Sequence, residues 1–170
     1  MNRFLKILAI VALVVTIAGA GAVLYGMTML EPQVEHVSVV ATPATEAQAT
    51  FDALTQQVSL GTFAGTQFTD AAGLRAEDCT FLTYTVRLKN RGFFPAEWIM
   101  LSVEPRQSED GLNRDVLQLA DERAHVLSAN SQGDLSATIL HMGDAGDTAR
   151  NLRIVCYVFG QKVEFTVRAN

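Results

Sequence analysis

The sequence predicts a mostly-β protein, an antiparallel two-sheet sandwich preceded by one N-terminal transmembrane helix. Two features of the 170-residue chain support this prediction. A long uncharged apolar stretch lies near the N-terminus, and the later part of the chain alternates apolar and polar residues over several short segments. With 49% hydrophobic and 18% charged residues, the composition suits one globular domain in addition to such a helix.

The apolar stretch covers residues 7–30 and contains no charged side chain. A helix that rises about 1.5 Å per residue is long enough over this stretch to cross a hydrocarbon core of about 30 Å. Arg3 and Lys6 precede the stretch and Glu31 follows it. The positive-inside bias therefore predicts a cytoplasmic tail at 1–6, a signal-anchor helix at 7–30 and an extracytoplasmic remainder in a single-pass membrane protein.

A cleaved secretory signal is the alternative interpretation of the same stretch. Residues 7–17 have the length of a signal h-region, and the small residues at 18–20 or 20–22 offer cleavage sites. Cleavage there would leave apolar residues 23–30 exposed at the new N-terminus of a secreted product. The membrane anchor is therefore the preferred interpretation.

Three small residues of the predicted helix, Ala18, Ala22 and Gly26, are spaced four apart. This spacing places them on one helix face, where a second helix can approach closely. A helix–helix contact is the functional interpretation. The alternative is that small residues are simply common in export helices.

Residues 31–45 contain two prolines around the short β-branched patch at 37–40, which is typical of a stalk that ends in a strand or an extended linker. Apolar residues then recur at helical spacing and predict a short helix near 44–58, with Thr42 and Pro43 as its cap and first position. We expect the extracytoplasmic domain to cover residues 46–170.

Alternation of apolar and polar residues indicates seven short strands after this helix, separated by Gly- and Asn-containing turns. The final pair predicts a hairpin, in which Gly160-Gln161 forms a type II′ turn. Seven strands with such connections favour an immunoglobulin-like antiparallel sandwich. The expected strands cover residues 80–89, 99–103, 116–119, 125–127, 135–142, 152–158 and 163–167.

Three segments carry a resemblance to a known family: residues 83–97 with Asn90-Arg91-Gly92, residues 127–133, and residues 157–161. Together they look like immunoglobulin-like sandwich modules of the late-embryogenesis-abundant/water-stress type and related bacterial surface domains. The resemblance covers about residues 80–168 of the chain. It implies an interaction or structural role and supplies no catalytic residues.

The charge distribution argues against nucleic acid and anionic lipid as partners. Of the 13 Lys and Arg residues, two precede the apolar stretch, so the rest of the chain carries 11 of them against 18 Asp and Glu, a net charge of −7. Nucleic acids and anionic membranes are bound by clustered Lys and Arg. The acidic residues are scattered along the chain, which indicates a solvated surface.

Cys79 and Cys156 are the two cysteines of the chain, and an exported compartment is able to oxidise them. Cys156 is in phase with the inward residues of its strand, whereas Cys79 is out of phase with Leu82 and Tyr84. Two alternatives therefore remain open, a disulfide bond or two buried free thiols.

Common catalytic motifs are absent from the sequence, including Gly-x-Ser-x-Gly, Ser-x-x-Lys and His-Glu-x-x-His. His141, Asp144 and Asp147 form the best candidate for a metal site, because imidazole and carboxylate groups lie close together in the sequence. Asp and Gly are also ordinary turn residues, so a loop between two strands is the simpler interpretation. No cofactor is expected.

Phe93, Phe94 and Trp98 surround a Pro-containing turn. They are candidates for an exposed contact with a partner, and the alternative for such large aromatic side chains is core packing. We expect a non-enzymatic binding or structural accessory module whose partners are the membrane and another envelope protein or cell-surface component. The alternative function is a metal-dependent binder or hydrolase that uses the 141–147 loop.

Overall fold

The computed structural model describes residues 3–28, 31–106, 113–120, 125–144, 146 and 148–169. Within these residues the chain forms two α-helices and nine strands. The helices are α1 (Arg3–Thr28) and α2 (Gln48–Ser59). The strands are β1 (Gln33–Pro43), β2 (Thr66–Gln67), β3 (Cys79–Lys89), β4 (Ala96–Glu104), β5 (Asp115–Gln118), β6 (His125–Leu127), β7 (Gln132–Met142), β8 (Arg150–Val158) and β9 (Gln161–Ala169).

The strands form two antiparallel sheets, which confirms the mostly-β sandwich predicted from the sequence. The first sheet has the order β1-β3-β7-β5-β2, and the second has the order β6-β4-β8-β9. Without the short edge strands β2 and β6, the first sheet corresponds to strands A-B-E-D and the second to C-F-G of a constant-type immunoglobulin domain. The chain order of these seven strands is also the same.

The main core lies between the two sheets because strands of both sheets present an apolar face. Leu82, Tyr84 and Val86 of β3 are fully buried there, and Leu152 and Ile154 of β8 meet them from the second sheet. Burying a side chain of this size stabilises the folded state by about 1.5–3 kcal/mol. The alternation that predicted these strands therefore corresponds to their inward-facing residues.

A second, smaller core covers the outer face of the first sheet. Phe51 and Leu54 of α2 pack there against residues that include Cys79 and Phe81 of β3 and Leu140 of β7. The first half of β3 is therefore buried on both faces. This arrangement explains why Cys79 is out of phase with the inward residues of the main core.

The segment 31–45, which we expected to be a stalk, contains β1. This strand pairs with β3 at ten positions, from Gln33 opposite Lys89 to Pro43 opposite Thr80. A bulge between Val34 and His36 shifts the register, and this shift disguises the alternation in the sequence. Residues 33–43 thus belong to the sandwich, which leaves four residues between α1 and β1.

The start of α2 differs from the prediction. Pro43 ends β1, and a turn over residues 44–47 separates it from the helix, which begins at Gln48. The Ala44 amide donates to the Cys79 carbonyl oxygen at 3.0 Å and extends the sheet pairing beyond Pro43. Thr42 and Pro43 are therefore not the cap and first residue of the helix, because sheet pairing keeps them extended.

Candidate functional site

The strands that lead into or out of the turns near α1 define one end of the sandwich. β1 begins there, and its register with β3 places Lys89 beside Gln33. The ends of β6 and β8 lie beside Ala96 at the start of β4. We call this the helix-proximal end, and the opposite end, where β1 and β7 finish, the distal end.

Exposed aromatic side chains concentrate at the helix-proximal end. Trp98 is 64% exposed, Phe93 68% and Phe159 75%. Phe94 stacks on Phe159, with ring centroids 4.7 Å apart, and Tyr157 is exposed on the adjoining face of the second sheet. The aromatic surface consists of Phe93, Phe94, Trp98, Tyr157 and Phe159.

Asn90 holds the turn that presents Phe93 and Phe94. Its side chain is buried, and its Nδ2 donates to the carbonyl oxygens of Phe94 at 2.7 Å, Leu127 at 3.2 Å and Ser128 at 3.2 Å. The amide of Gly92 donates to Asn90 Oδ1 at 2.9 Å. One buried side chain therefore ties the β3–β4 turn to the β6–β7 turn, and both turns are fixed at the helix-proximal end.

Two residues of the aromatic surface adopt a backbone conformation that L-amino acids disfavour. Trp98 has φ 51° and lies in a bulge of β4, where the register with β8 shifts between Glu97 and Met100. Phe159 has φ 50° and Gly160 has φ 74°. A positive φ at a bulky residue costs about 1–2 kcal/mol.

The hairpin predicted at the end of the chain is present, but its turn differs from the prediction. Val158 pairs with Gln161, so the two central residues are Phe159 and Gly160. Both have positive φ, which defines a type I′ turn instead of the predicted type II′ turn at Gly160-Gln161. The shift by one residue places a Phe at the exposed tip.

The aromatic surface also meets the N-terminal helix. The ring centroids of Tyr25 in α1 and Phe93 in the β3–β4 turn lie 6.3 Å apart, with planes tilted by 51°. This separation falls within the range of attractive aromatic pairs. The end of α1 therefore adjoins the aromatic surface.

His141, proposed above as a metal ligand, is buried at the distal end and belongs to an ionic cluster. Its Nδ1 lies 2.8 Å from Asp115 Oδ1. Arg150 donates to the same carboxylate from Nε at 2.7 Å and from Nη2 at 2.9 Å. Because a carboxylate only accepts hydrogen bonds, Nδ1 of His141 carries the proton in this contact.

The three residues of the ionic cluster connect three strands, β5, β7 and β8, and both sheets. Burial of Asp115 is the largest single influence on its pKa and raises it. Hydrogen bonds from His141, Arg150 and the Arg106 backbone amide, together with the charge of Arg150, outweigh burial and hold the pKa well below its usual range. Asp115 is therefore ionised at neutral pH, and its contact with Arg150 joins the two sheets.

Of the other two metal candidates, the structure describes one. Asp144 is exposed beyond the end of β7, and Asp147 lies outside the described residues. Across the part of the chain that the structure describes, no three His, Cys, Asp or Glu side chains are grouped as metal ligands. The nearby groove of about 660 Å³ is lined by residues that include Asp78, Arg114 and Asp144.

The two cysteines are buried free thiols in different cores. Cys79 lies at the distal start of β3, whereas Cys156 lies on β8 near the helix-proximal end. Burial raises the pKa of the Cys156 thiol to about 11, with a further contribution from the charge of Glu31, and burial followed by the charge of Asp78 raises that of Cys79. Of the two alternatives left open by the sequence, the structure corresponds to free thiols.

The predicted helix-contact residues lie on α1. Ala18 and Ala22 are exposed, and Gly26 lies in the last turns of the helix, where burial is not described. The window Arg3–Tyr25 has a mean hydropathy of 2.7, and none of it is buried against the rest of the protein. α1 is therefore long and apolar enough to span a membrane.

Sequence reasoning missed Asp115 and Arg150 of the ionic cluster, and Tyr157 and Phe159 of the aromatic surface. A signal for the cluster exists: Arg150 and His141 have the inward parity of their strands, where charged residues are rare. Comparison of the sequence with protein-family models and with curated proteins finds no match.

Proposed function

We propose that this protein is a single-pass membrane protein that displays its immunoglobulin-like sandwich outside the cytoplasm as a binding or structural accessory module. The observation that carries the proposal is the state of α1. In the described window Arg3–Tyr25 none of the helix is buried against the rest of the protein, and four residues connect α1 to β1. An exposed apolar helix of this length is stable in a bilayer and costly in water.

The orientation follows from the charges beside the helix. Arg3 and Lys6 on its N-terminal side favour a cytoplasmic N-terminus, and Glu31 and Glu35 follow on the other side. The free thiols do not contradict this compartment. They are buried in separate cores at opposite ends of the sandwich, so they are too far apart to form a bond in the folded protein.

The partner is proposed to be another envelope protein or cell-surface component. The strand order is that of an immunoglobulin-like sandwich, and the sequence resembles modules of the late-embryogenesis-abundant/water-stress type, a resemblance that implies an interaction or structural role. The proposal gives His141 a structural role in the ionic cluster, where its Nδ1 donates to Asp115.

Site-specific thiol labelling of the full-length protein in intact cells tests the orientation. A Leu60→Cys variant places a thiol at an exposed position after α2, and an Asn2→Cys variant places one before α1. The native thiols give little background because they are buried. We expect a membrane-impermeant maleimide to label Leu60→Cys in intact cells and Asn2→Cys only after lysis.

The reverse pattern of labelling would overturn the orientation. Intact-mass analysis of the same samples separates the anchored protein from a secreted product, since cleavage after residue 20 or 22 removes the corresponding N-terminal mass. Resistance of the protein to alkaline extraction from membranes is the expected accompanying result. A soluble, shortened product would refute the anchor.

Affinity purification of the full chain tests for a partner. The matched control replaces α1 with an unrelated transmembrane helix and keeps residues 31–170. We expect the same envelope protein to be recovered with both chains, because recognition is assigned to the sandwich. Recovery with neither chain across several detergents would count against the module.

A further inference from the structure

The connection between α1 and β1 restricts where the sandwich can lie. α1 ends at Thr28 and β1 begins at Gln33, so a fully extended connection spans no more than about 18 Å. The pairing of β1 with β3 along its whole length fixes which end of the sandwich is held there. If α1 spans a bilayer, the helix-proximal end lies at the surface of that bilayer.

The aromatic residues of the sandwich are distributed unevenly between its two ends. Among the described residues of the sandwich, the exposed aromatic side chains are the five of the aromatic surface, and all lie toward the helix-proximal end. Two of them, Trp98 and Phe159, are exposed despite an unfavourable positive φ. An exposed apolar patch that persists at such a cost indicates a surface that is covered in the working protein.

We infer that the aromatic surface inserts into the headgroup region of the same bilayer that α1 spans, an inference that rests on the proposed membrane anchoring. The occupant is therefore a phospholipid interface. Trp and Tyr favour this region because their rings are apolar at one end and polar at the other. The ring contact between Tyr25 and Phe93 makes the aromatic surface continuous with the end of α1.

The charges beside the aromatic surface favour a zwitterionic interface. Arg91 is exposed in the same turn as Phe93, and Lys162 follows the hairpin tip and pairs with Glu164 at 2.6 Å. Glu97 is exposed beside Trp98. These charges are mixed, not a cluster of cations, so insertion depends on aromatic burial and not on attraction to anionic lipid.

Trp98 is the single tryptophan of the chain, so its fluorescence reports directly on this surface. The full-length protein is reconstituted into phosphatidylcholine vesicles, with and without acyl chains brominated close to the headgroup. We expect a blue-shifted Trp98 emission that loses about half of its intensity in brominated vesicles, as for an indole at the membrane interface. Adding anionic lipid is expected to leave the quenching unchanged.

The control protein moves the reporter to the distal end. It carries Trp98→Phe together with Met142→Trp, since Met142 ends β7 and is exposed. We expect emission typical of water and no quenching by bromine. A second variant, Phe93→Ser in the presence of Trp98, removes an exposed ring and is expected to reduce the quenching.

Three results would overturn the inference. Trp98 emission that is red-shifted and insensitive to bromine, in protein that remains in the vesicles, shows a surface in water. Equal quenching of both reporter positions shows nonspecific adsorption. A blue shift that disappears on dilution of protein in the bilayer shows contact with a second copy. If the proposed anchoring itself is wrong, the protein does not remain with the vesicles. This outcome therefore differs from the three results that overturn the inference about the aromatic surface.

Discussion

At the scale of single residues, two buried polar side chains hold the two ends of the sandwich. Asn90 joins two turns at the helix-proximal end, and Asp115 joins both sheets at the distal end. Each is nearly inaccessible to solvent, so each lost hydrogen bond leaves a partner that water cannot satisfy. These residues therefore have larger effects on stability than their surroundings.

Replacing Asn90 tests the first of these residues. In an Asn90→Ala variant, the carbonyl oxygen of Leu127 and the amide of Gly92 lose a hydrogen-bond partner. We expect the free energy of unfolding to fall by about 2–4 kcal/mol, since an unsatisfied buried group costs about 1–3 kcal/mol. Urea unfolding of the full chain in detergent measures the change.

The matched control is Asn151→Ala, because Asn151 is exposed on β8. A substitution at such a site changes stability by no more than about 0.5 kcal/mol. Equal effects of the two substitutions would contradict the role of Asn90.

The Asp115 carboxylate predicts a specific dependence of stability on pH. Its pKa in the folded protein lies below that in the unfolded chain, so its stabilising contribution is full above about pH 4 and is lost as the pH falls below that value. Asp115→Asn removes the charge at every pH and leaves Arg150 without its carboxylate. We expect this substitution to lower the free energy of unfolding by about 3–5 kcal/mol at neutral pH.

Urea unfolding at a series of pH values measures this difference. The difference in free energy of unfolding between the wild type and Asp115→Asn should become smaller as the pH falls below about 4. Asp144→Asn is the control, because Asp144 is exposed and should have little effect at any pH. A gap that stays constant down to acidic pH would exclude the assigned role of the carboxylate.

At the scale of elements, the bulge in β4 is the feature that sets the position of Trp98. Its φ of 51° is tolerated by glycine and disfavoured for residues that carry a Cβ. Trp98→Gly and Trp98→Ala both remove the ring, so a comparison of the two isolates the backbone. We expect the Gly variant to be more stable by about 1 kcal/mol, as measured by thermal unfolding.

At Met100 in the same strand we expect the alanine variant, not the glycine variant, to be the more stable. Met100 lies two residues further along β4 and is not among the residues with positive φ. There, Met100→Ala should be more stable than Met100→Gly by about 0.5–1 kcal/mol, since glycine loses more conformational freedom on folding. If the alanine variant is more stable than the glycine variant at both positions, the bulge does not constrain the backbone of Trp98.

The elements also show which patterns in a sequence identify a strand. β3, β7 and β8 alternate regularly and were predicted because one face of each lies in the main core. The segment of β1 was interpreted as a stalk that ends in a strand or an extended linker, because prolines lie on either side of a short β-branched patch, and the bulge at Val34–His36 interrupts the alternation before that patch. A bulge depends on pairing with β3, which local sequence does not specify.

The residues of the aromatic surface and of the ionic cluster also differ in whether the sequence alone identifies them. Phe93, Phe94 and Trp98 were candidates because they surround a turn, and turn residues are visible in a sequence. The contacts of Asp115 with His141 and Arg150 join residues 26 and 35 positions away on separate strands. Only the strand order brings these residues together, and single-sequence reasoning does not establish that order.

At the scale of the whole molecule, the separate positions of the thiols predict that stability is independent of redox state. Cys79 and Cys156 are free and lie toward opposite ends of the sandwich. We expect the same thermal unfolding midpoint with and without reductant. Alkylation in denaturant without reductant, followed by intact-mass analysis, should modify both thiols.

Alkylation of the folded protein serves as the control for that experiment. The raised pKa values and the burial of both thiols should make their reaction at neutral pH slow and dependent on unfolding. Rapid labelling of the native protein, or a mass lower by two hydrogens before reduction, would contradict the free and buried state.

The position of β1 has a mechanical consequence. In the proposed arrangement, a partner that draws the sandwich away from the bilayer would transmit force to α1 through β1, which enters the first sheet at Gln33 and pairs with β3 at ten positions. Because the pull is directed along the strand and the hydrogen bonds lie across it, the paired positions resist together in shear instead of opening one after another. The strand that follows α1 is thus expected to make the domain resistant to unfolding by a force applied through α1.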